Sequence, residues 1–593
     1  MHNLGVLRAR WVLLISGLLG FRVGMVGFPE WQVAVETSQV VAGLVRYPAG
    51  NPFFIYHTKL WTIVHQLCAP LLWAGVSEIR LSLIISGVLG MLTFQALAIF
   101  VYAFSRDVLL AAGAAVLIFA SRAAEYGAVY VLYLLGNENT YGIIGLSFCV
   151  LAVGLIGSGC YRSGGFLLAL APAVHPSLGG WTCAVAACAV PWRSSRWRDE
   201  LRPAGKWFLI GASVTAASLL VQLAFIYRPP DAAVDFSAQE IAAFITFWDG
   251  HRRPVDPGST GVLLNFSALA LAFVWLTAFA EDLPRPSILL LRVTVAAALT
   301  SIALMFVSWI PPEKLPTPVL VLMPGRVLNY NALTYVALVI GLLGHYRRTL
   351  WGQALLAFLA IGLLFADYSM LWPWLEQRGV EYHSPVRTLW VVGATSVALV
   401  TGAAWSKWRT LDRPAEATLS AGRGNQRLTT AMRALVFAVL AAPVVGALMY
   451  ARPASLIFRD RTNDVFLSQV AAGRGLLLTA GDLHLVQLRT RRPVLLDGGG
   501  LDGLLYSLEA GPEMARILRE VYGIDLLNPP EEARGSGRIP PMATRRVWES
   551  YSTEKWREIA RDFHVTQVLT YPDWTLNLPI AAHSRRLLLY DIR

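Results

Sequence analysis

Residues 81–104 read LSLIISGVLGMLTFQALAIFVYAF, a run of 24 residues without one charged side chain. A helix of this length and composition is long enough to cross the hydrocarbon core of a bilayer, which is about 30 Å thick. Comparable runs recur through the first 450 residues, and 55% of the whole chain is hydrophobic. The sequence therefore predicts a polytopic α-helical membrane protein rather than a large soluble one.

The spacing of these runs predicts about fifteen transmembrane helices. Four of the runs are short, so thirteen crossings is the alternative count; they are 108–121, 124–136, 163–174 and 177–191. The other predicted spans are 9–28, 60–77, 81–104, 141–158, 207–227, 261–280, 287–309, 327–345, 350–366, 387–405 and 432–450.

Charge divides the chain into two parts. Residues 451–593 make up about a quarter of the length but hold 36 of the 88 charged residues. We therefore predict a transmembrane domain over 1–450 and a soluble domain over 451–593, a small α/β unit with period-two runs and amphipathic helices. The predicted strands are Leu476–Thr479, Val486–Leu488, Pro493–Leu496, Val565–Leu569 and Leu587–Tyr590, and the predicted helices are Pro512–Tyr522 and Thr553–Phe563.

Lysine and arginine predict the orientation. They concentrate in the gaps 192–206, 347–348 and 406–431, which share one side if the N-terminus is cytoplasmic. An odd number of crossings then places the C-terminal domain outside the inner (plasma) membrane of the cell. No basic stripe interleaved with aromatic residues indicates nucleic-acid binding. The predicted outer loops are 29–59, 105–107, 137–140, 175–176, 228–260, 310–326 and 367–386.

The first outer loop contains the strongest catalytic candidates, Glu30 and Glu36, followed by His57. Helical periodicity over 36–45 predicts a helix lying on the membrane surface, which would hold Glu36 near the lipid boundary. A carboxylate there can act as a general base toward a substrate hydroxyl, or can hold a divalent ion such as Mg²⁺ or Mn²⁺ against a phosphate. A solvated carboxylate in an amphipathic loop is the structural alternative.

Two further gaps supply polar candidates. Asn137 and Glu138 lie in a tight turn between short spans, where Glu138 is a candidate second acid or metal ligand. His175 precedes a proline inside an apolar stretch, and broken helices at membrane depth usually line a cavity. A histidine at such a break can bind a phosphate or a metal, or can simply bond to a neighbouring helix.

Arginines at the starts of later spans are candidate phosphate ligands. Arg326 precedes the span that starts at Val327, and Arg387 begins another span. A guanidinium group beside the unpaired amides of a helix N-terminus favours a phosphate. An ordinary interfacial arginine is the alternative for each.

Together these features resemble the GT-C class of membrane glycosyltransferases. The stretch from Glu30 to Trp61, the His175-Pro break, Pro324-Gly-Arg326 and the tail segment Arg489–Asp497 look like bacterial multi-spanning members of that class. The W-W-D-type signature of oligosaccharyltransferases is absent from the sequence. The aspartate usual in the first loop is also absent, so Glu30 or Glu36 would take its place.

The resemblance implies sugar transfer from a polyprenyl-phosphate-linked donor to a glycan, lipid or protein acceptor on the extracytoplasmic face. Glu36 or Glu30 would deprotonate the acceptor, Arg326 with His175 would stabilise the leaving phosphate, and the lipid tail would lie between helices among membrane lipids. A lipid or solute transporter, such as a flippase, and a non-catalytic scaffold in an envelope complex are the alternatives. A transporter predicts inverted repeats and mid-membrane charges, whereas the polar residues here cluster on one face.

Overall fold

The computed structural model of the chain describes ten stretches of residues. They are 2–60, 62–121, 140–226, 237–249, 252–321, 324–366, 385–411, 454–497, 499–535 and 537–592.

Most of the described residues up to 411 form apolar helices. Seven of these helices are long and apolar enough to cross a membrane, and several shorter apolar helices accompany them. The helices are α1 (His2–Arg22, continued by a π-helix to Gly27), α2 (Val33–Val41), α3 (Pro52–Lys59), α4 (Ile63–Trp73), α5 (Glu78–Ser105), α6 (Val108–Ala120), α7 (Thr140–Gly157), α8 (Tyr161–Val174), α9 (Pro176–Ala189), α10 (Ser195–Phe225), α11 (Ala238–Phe247), α12 (Thr260–Ala278), α13 (Arg285–Ser308), α14 (Thr317–Val321), α15 (Leu328–His345), α16 (Leu350–Ala366) and α17 (Pro385–Leu411).

Helices α1 and α5 pack tightly and run antiparallel. A methyl group on Gly20 would lie 2.2 Å from the Gly90 carbonyl oxygen, and one on Gly24 would meet the Ser86 carbonyl. Small residues let two helix backbones approach this closely. Since residue 24 faces residue 86 and residue 20 faces residue 90, α5 begins at the end of the bundle where α1 finishes.

The predicted span 60–77 does not cross the bundle. Its helix, α4, has 11 residues and is about 16 Å long, which is too short for a bilayer core. Because α4 does not cross, α5 runs in the opposite sense to our prediction. The loop 105–107, predicted to be outer, therefore lies at the other end of the bundle, where Arg106 and Arg8 are both close enough to Tyr102 for their charges to act on it.

We name the two ends of the bundle after the residues that lie there. The domain end holds residue 28, where Phe28 packs on Phe119 at the finish of α6, and the C-terminal domain, whose Phe458 packs on Trp31. The far end holds Arg8 and Arg106. Among the described helices, α1, α6, α8, α10, α13 and α16 run toward the domain end, and α5, α7, α9, α12, α15 and α17 run away from it.

Twelve of the described helices alternate in direction in this way, and the predicted count of fifteen crossings, with thirteen as its alternative, stays a prediction. Helix α6 ends and α7 begins at the domain end. The predicted spans 124–136 and 432–450 lie outside the described residues.

The basic gaps meet at the far end, as the distribution of lysine and arginine predicted. Arg285 at the start of α13 pairs with Glu200 of the gap 192–206 at 3.5 Å. Arg347 pairs with Asp107 at 3.0 Å, and Lys407 donates to the Ala278 carbonyl at 2.7 Å. Gaps distant in sequence thus share one end of the bundle.

The C-terminal domain is a small α/β unit, as predicted. Its sheet has the order β1-β2-β4-β3, with β1 and β2 parallel and the other neighbours antiparallel. Trp548 and Trp556 are fully buried in its core. The elements are α18 (Ala454–Ile457), α19 (Val465–Ala472), β1 (Leu476–Thr479), α20 (Val486–Thr490), α21 (Gly511–Glu520), α22 (Pro541–Ser550), α23 (Thr553–Phe563), β2 (Val565–Thr570), β3 (Ile580–His583) and β4 (Leu588–Asp591).

Two of the predicted strands in this domain differ from the structure. Residues 486–488 form the helix α20 instead of a strand, since the turn after β1 leaves this segment packed on the membrane part. Residues 493–496 pair with β1 only through the parallel bridge between Leu477 and Val494. Strands β1, β2 and β4 and helices α21 and α23 lie within a few residues of their predicted positions.

The C-terminal domain sits directly on residues 29–59, the segment that follows α1. Gln487 of α20 donates to the Glu36 carbonyl at 3.0 Å, and Gln39 donates to the Leu488 carbonyl at 3.0 Å. Glu78, which is 2% exposed at the start of α5, pairs with Arg491 and Arg461 of the domain. These buried polar contacts fix the domain over α2 and the start of α5.

Candidate functional site

Arg326 and His175 meet at the domain end although 151 residues separate them in sequence. The Nη1 atom of Arg326 lies 3.0 Å from Nε2 of His175. His175 joins α8 to α9, and Arg326 lies in a 3₁₀ turn, Pro324–Val327, directly before α15. The predicted pairing of a guanidinium and an imidazole at two helix starts is therefore present.

The local bonding of His175 indicates what this pair can bind. Its Nδ1 accepts the Leu178 amide at 3.3 Å, which caps the N-terminus of α9. A neutral imidazole whose Nδ1 accepts carries its proton on Nε2. In that tautomer Nε2 cannot accept from Arg326, so the 3.0 Å contact places two donors side by side, and an anionic oxygen that accepts from both would satisfy them. The N-termini of α9 and α15 add positive potential at the same place.

Helix α2 is buried on all sides rather than lying on the membrane surface as predicted. Residues 34–40 are all buried, and Glu36 is only 1% exposed. Helices α3 and α4 and the C-terminal domain cover the helix, because the domain packs where we expected solvent or lipid headgroups. Burial together with the Glu36 carboxylate raises the pKa of Tyr47 well above its usual value.

A chain of buried hydroxyl and imidazole groups starts beside Glu36. The hydroxyl of Thr37 lies 2.8 Å from Nδ1 of His57 and also contacts the hydroxyl of Tyr141. The Tyr141 hydroxyl contacts Nε2 of His65. His57 is thus part of a connected polar cluster, as expected of a pocket residue. Tyr141 and His65 were not predicted, because they lie inside apolar segments where no pattern marks them.

Helix α7 joins this cluster to the Arg326–His175 pair. Tyr141 contacts the cluster, and a methyl group on Gly145 would lie 2.6 Å from Cβ of His175. Residues four apart occupy one helix face and are separated by about 6 Å along the axis. The cluster beside Glu36 and the His175 side chain therefore contact the same face of α7, at positions one turn apart.

The other predicted site residues fall in different places. Glu30 is held on α5, where its amide donates to the Ser86 hydroxyl at 3.3 Å and its carbonyl accepts from the same group. Arg387 lies in the first turn of α17, and the position of its side chain is not described. Glu138 and Asn137 also lie outside the described residues.

The C-terminal domain adds polar residues that we did not predict for the site. Asp497 is 1% exposed and lies close enough to His57 and Tyr47 for its charge to affect both. Burial lowers the pKa of His57 to about 4, against the smaller opposing effect of Asp497. His57 is therefore neutral near pH 7. A carboxylate that directly follows a short β-like run is a recognisable sequence signal, but it does not show which loop the carboxylate will face.

In the described ranges, no group of three or more His, Cys, Asp and Glu side chains is arranged to hold a metal ion. A divalent cation at this site stays a prediction, because Glu138 is not among the residues described.

Comparisons with known proteins give similarity to solved structures. No family model and no curated protein matches the chain. The chain is similar to ArnT from Cupriavidus metallidurans, in a crystal structure with bound undecaprenyl phosphate, at 14% identity over 99% of this chain and 98% of that one, with a TM-score of 0.40. It is also similar to the archaeal oligosaccharyltransferase AglB from Archaeoglobus fulgidus, in complex with an inhibitory peptide and a dolichol-phosphate, at 13% identity over 95% of this chain and 69% of that one, with a TM-score of 0.31.

The described architecture is that of a multi-pass membrane protein with a small C-terminal α/β domain. At these identities the similarities assign no residue and no substrate.

Proposed function

We propose that the chain is a membrane glycosyltransferase that moves a sugar from a polyprenyl-phosphate-linked donor to an acceptor at the domain end. The observation that supports this proposal best is the Arg326–His175 pair, whose Nη1 and Nε2 atoms lie 3.0 Å apart where α9 and α15 begin. This arrangement suits an oxyanion such as the phosphate of a lipid carrier. Buried Glu36 lies close enough to Tyr141 of α7 for its charge to act on that residue, and Gly145, one turn further along α7, contacts His175.

The proposed reaction uses these residues in separate roles. The oxygen of an acceptor hydroxyl forms a bond to the anomeric carbon of the sugar while the bond from that carbon to the phosphate oxygen breaks. The phosphate leaves with the electron pair as polyprenyl phosphate, and Arg326 and His175 stabilise the negative charge that develops on it. Glu36 accepts the proton of the acceptor hydroxyl.

We further propose that the far end is cytoplasmic and the C-terminal domain extracytoplasmic. The far end gathers the basic gaps, and lysine and arginine accumulate on the cytoplasmic side of membrane proteins. Added protease should digest the C-terminal domain in intact spheroplasts but spare it in inverted vesicles. Protection in spheroplasts would reverse the assignment.

Arg326 provides the test of donor binding. Undecaprenyl phosphate retained by the purified protein would be measured by native mass spectrometry. Arg326→Ala should weaken retention about 100-fold, because charge-assisted hydrogen bonds contribute about 1.5–3 kcal/mol. Arg326→Lys keeps the charge without the guanidinium fork and should fall between the two. Exposed Arg162, outside the site on α8, gives the matched control Arg162→Ala. Equal retention by Arg326→Ala and Arg162→Ala would refute a donor site at this pair.

Glu36 provides the test of chemistry. Glu36→Gln keeps the shape of the side chain and should lower sugar transfer by at least about 100-fold, because a general base typically contributes 10²–10⁴-fold. Lipid-linked sugar consumed by membranes would be the readout, with retention of undecaprenyl phosphate unchanged. Glu30→Gln tests whether Glu30 rather than Glu36 is the base, and Glu313→Gln, at an exposed residue, is the control. Transfer at the wild-type rate by Glu36→Gln would remove Glu36 from the mechanism.

A further inference from the structure

Helix α10, which starts at the far end, is longer than the hydrocarbon core of a bilayer requires. Its 31 residues span about 46 Å, whereas the hydrocarbon core is about 30 Å thick. Residues 207–225 contain no charged side chain and span about 29 Å, which matches that thickness. The first three turns of α10, residues 195–206, therefore extend from the hydrocarbon boundary into the headgroup region at the far end.

The contacts of Glu200 agree with this depth. Its carboxylate accepts a hydrogen bond from the Tyr161 hydroxyl and pairs with Arg285 at 3.5 Å. Tyr161 and Arg285 are the first residues of α8 and α13, which both begin at the far end. Glu200 is therefore level with the ends of its neighbouring helices, and Lys206 lies about 9 Å closer to the bilayer centre.

Three basic residues in these turns share one side of the helix. Arg198, Arg202 and Lys206 are spaced four residues apart, so their side chains follow one another over about 12 Å along α10. All three are exposed. The other side of the helix packs on the bundle, where Trp197 is buried and the Ala204 backbone lies against Gly165 of α8. The three residues form a basic face of α10 that is directed away from the bundle.

The same side of α10 becomes apolar beyond Lys206. Leu209 lies three residues after Lys206, Leu220 lies five full turns after Arg202, and they are 69% and 68% exposed. Trp207, next to Lys206, is 38% exposed, and tryptophan is enriched at the boundary between membrane and water. This side of the helix has the polarity of a phospholipid, with cations at the depth of the headgroup and leucines at the depth of the acyl chains.

The charges on the basic face are not balanced by the protein. Among the described residues, the side chains of Arg198, Arg202 and Lys206 make no hydrogen bond and no ion pair. Asp199 is exposed beside them and leaves the face with a net charge of +2. Like charges four residues apart on a helix repel one another, and an anion bound beside them removes that repulsion.

We propose that the basic face of α10 binds the headgroup phosphate of an anionic phospholipid, whose acyl chains lie along Leu209 and Leu220. Basic clusters directly outside a transmembrane segment attract anionic headgroups, and the exposed leucines provide an apolar surface for the chains of the same molecule. This lipid site is on the outside of the bundle, at the opposite end from the Arg326–His175 pair, and is independent of the proposed reaction.

Native mass spectrometry of the full-length protein in detergent would measure binding of phosphatidylglycerol, with zwitterionic phosphatidylcholine of the same chain length as the comparison. We expect the wild-type protein to bind phosphatidylglycerol at least about tenfold more tightly. Arg202→Gln should weaken that binding about fivefold, and the triple variant Arg198→Gln, Arg202→Gln, Lys206→Gln should weaken it about 100-fold, because each cation near the headgroup adds a similar increment. Equal binding of the two lipids by the wild type would overturn the site.

A second triple variant removes the same charge from other helices at the far end. Its substitutions, at exposed residues, are Arg8→Gln, Arg10→Gln and Arg348→Gln. It should bind phosphatidylglycerol within about twofold of the wild type, since these residues act only through the screened surface potential. Equal losses in the two triple variants would mean that the overall charge of this end, and no site on α10, attracts the lipid. If the α10 triple variant does not fold, wild-type affinity in the single variant Arg202→Gln overturns the site instead.

Two further measurements identify the ligand and its location. Glycerol 3-phosphate has the chemistry of the headgroup without acyl chains and should not displace phosphatidylglycerol, whereas displacement would indicate a site for soluble anions and overturn the assignment to a lipid. Arg326→Ala changes only the domain end and should bind phosphatidylglycerol as the wild type does. A loss in Arg326→Ala as large as that of the α10 triple variant would place the lipid at the donor pair and refute the site on α10.

Discussion

The two ends of the helical bundle treat their polar residues in opposite ways. At the far end, Arg347 and Asp107 pair at 3.0 Å with side chains 21% and 14% exposed. At the domain end, Glu36 and His57 are each 1% exposed, because the C-terminal domain covers them. Because burial of a charge or an unsatisfied imidazole opposes folding, these polar groups at the domain end are held at a cost to stability.

This difference indicates which end contains the site. Partly exposed ion pairs contribute little to stability and need no function to explain them. Buried polar groups gathered from α2, α3, α7 and the C-terminal domain require an explanation, and a ligand that completes their hydrogen bonds supplies one. We expect the polar contacts at the two ends to differ in their contribution to the free energy of unfolding, as they differ in burial.

The largest expected effect concerns Glu78, which joins the domain end to the C-terminal domain. Glu78→Ala removes the partner of Arg491 and Arg461 and should lower the free energy of unfolding by about 4 kcal/mol, since breaking a buried ion pair costs about 3–5 kcal/mol. Thermal unfolding in detergent would measure the change, and limited proteolysis would report release of the domain. Exposed Glu281 at the far end gives the control Glu281→Ala. Equal losses in the two variants would mean that the Glu78 pairs do not hold the domain.

The second effect is a dependence of stability on pH that arises from His57. Burial lowers the pKa of His57 from 6.5 to about 4. Between these pH values the unfolded chain binds a proton at His57 that the folded protein does not. The stability contribution is present above pH 6.5 and is lost as the pH falls toward 4, by at most about 3 kcal/mol. Unfolding between pH 4 and 7 should therefore depend less on pH in His57→Asn than in the wild type. The control is the exposed histidine variant His583→Asn, which should keep the wild-type slope; an unchanged slope in His57→Asn would show that His57 is not buried neutral.

Whether the structure of a segment could be predicted from the sequence depended on the physical property that determines it. Apolar runs such as Leu81–Phe104 identified helices directly, because hydrocarbon excludes charge over a fixed length. The start of α15 at Arg326 and the break at His175 were also readable, since proline and glycine mark helix ends. The direction of α5 could not be predicted. Helix α4 is as apolar as a transmembrane helix but too short to cross, and hydropathy alone does not show how far a segment enters the membrane.

The burial of Glu36 could not be predicted for a different reason. The periodicity of α2 shows one apolar side, but the Gln39 side chain and the Glu36 backbone carbonyl both accept from Gln487, about 450 residues away. Such pairing depends on where the C-terminal domain docks, which local patterns do not encode. For the same reason the sequence identified Glu36 as a candidate but gave no indication of Asp497.

The smallest expected effect tests the far end. Asp107→Asn removes the charge that pairs with Arg347 but leaves an oxygen to accept the Leu109 and Leu110 amides, so the cap of α6 remains. The loss in the free energy of unfolding should be about 0.5 kcal/mol and should shrink further at high salt, because partly exposed pairs are screened. Thermal unfolding at low and high ionic strength would measure both. A loss that approaches the value for Glu78→Ala, insensitive to salt, would place the far-end pair in a low-dielectric environment. The two ends would then differ in exposure but not in energy, and burial would no longer distinguish the functional end.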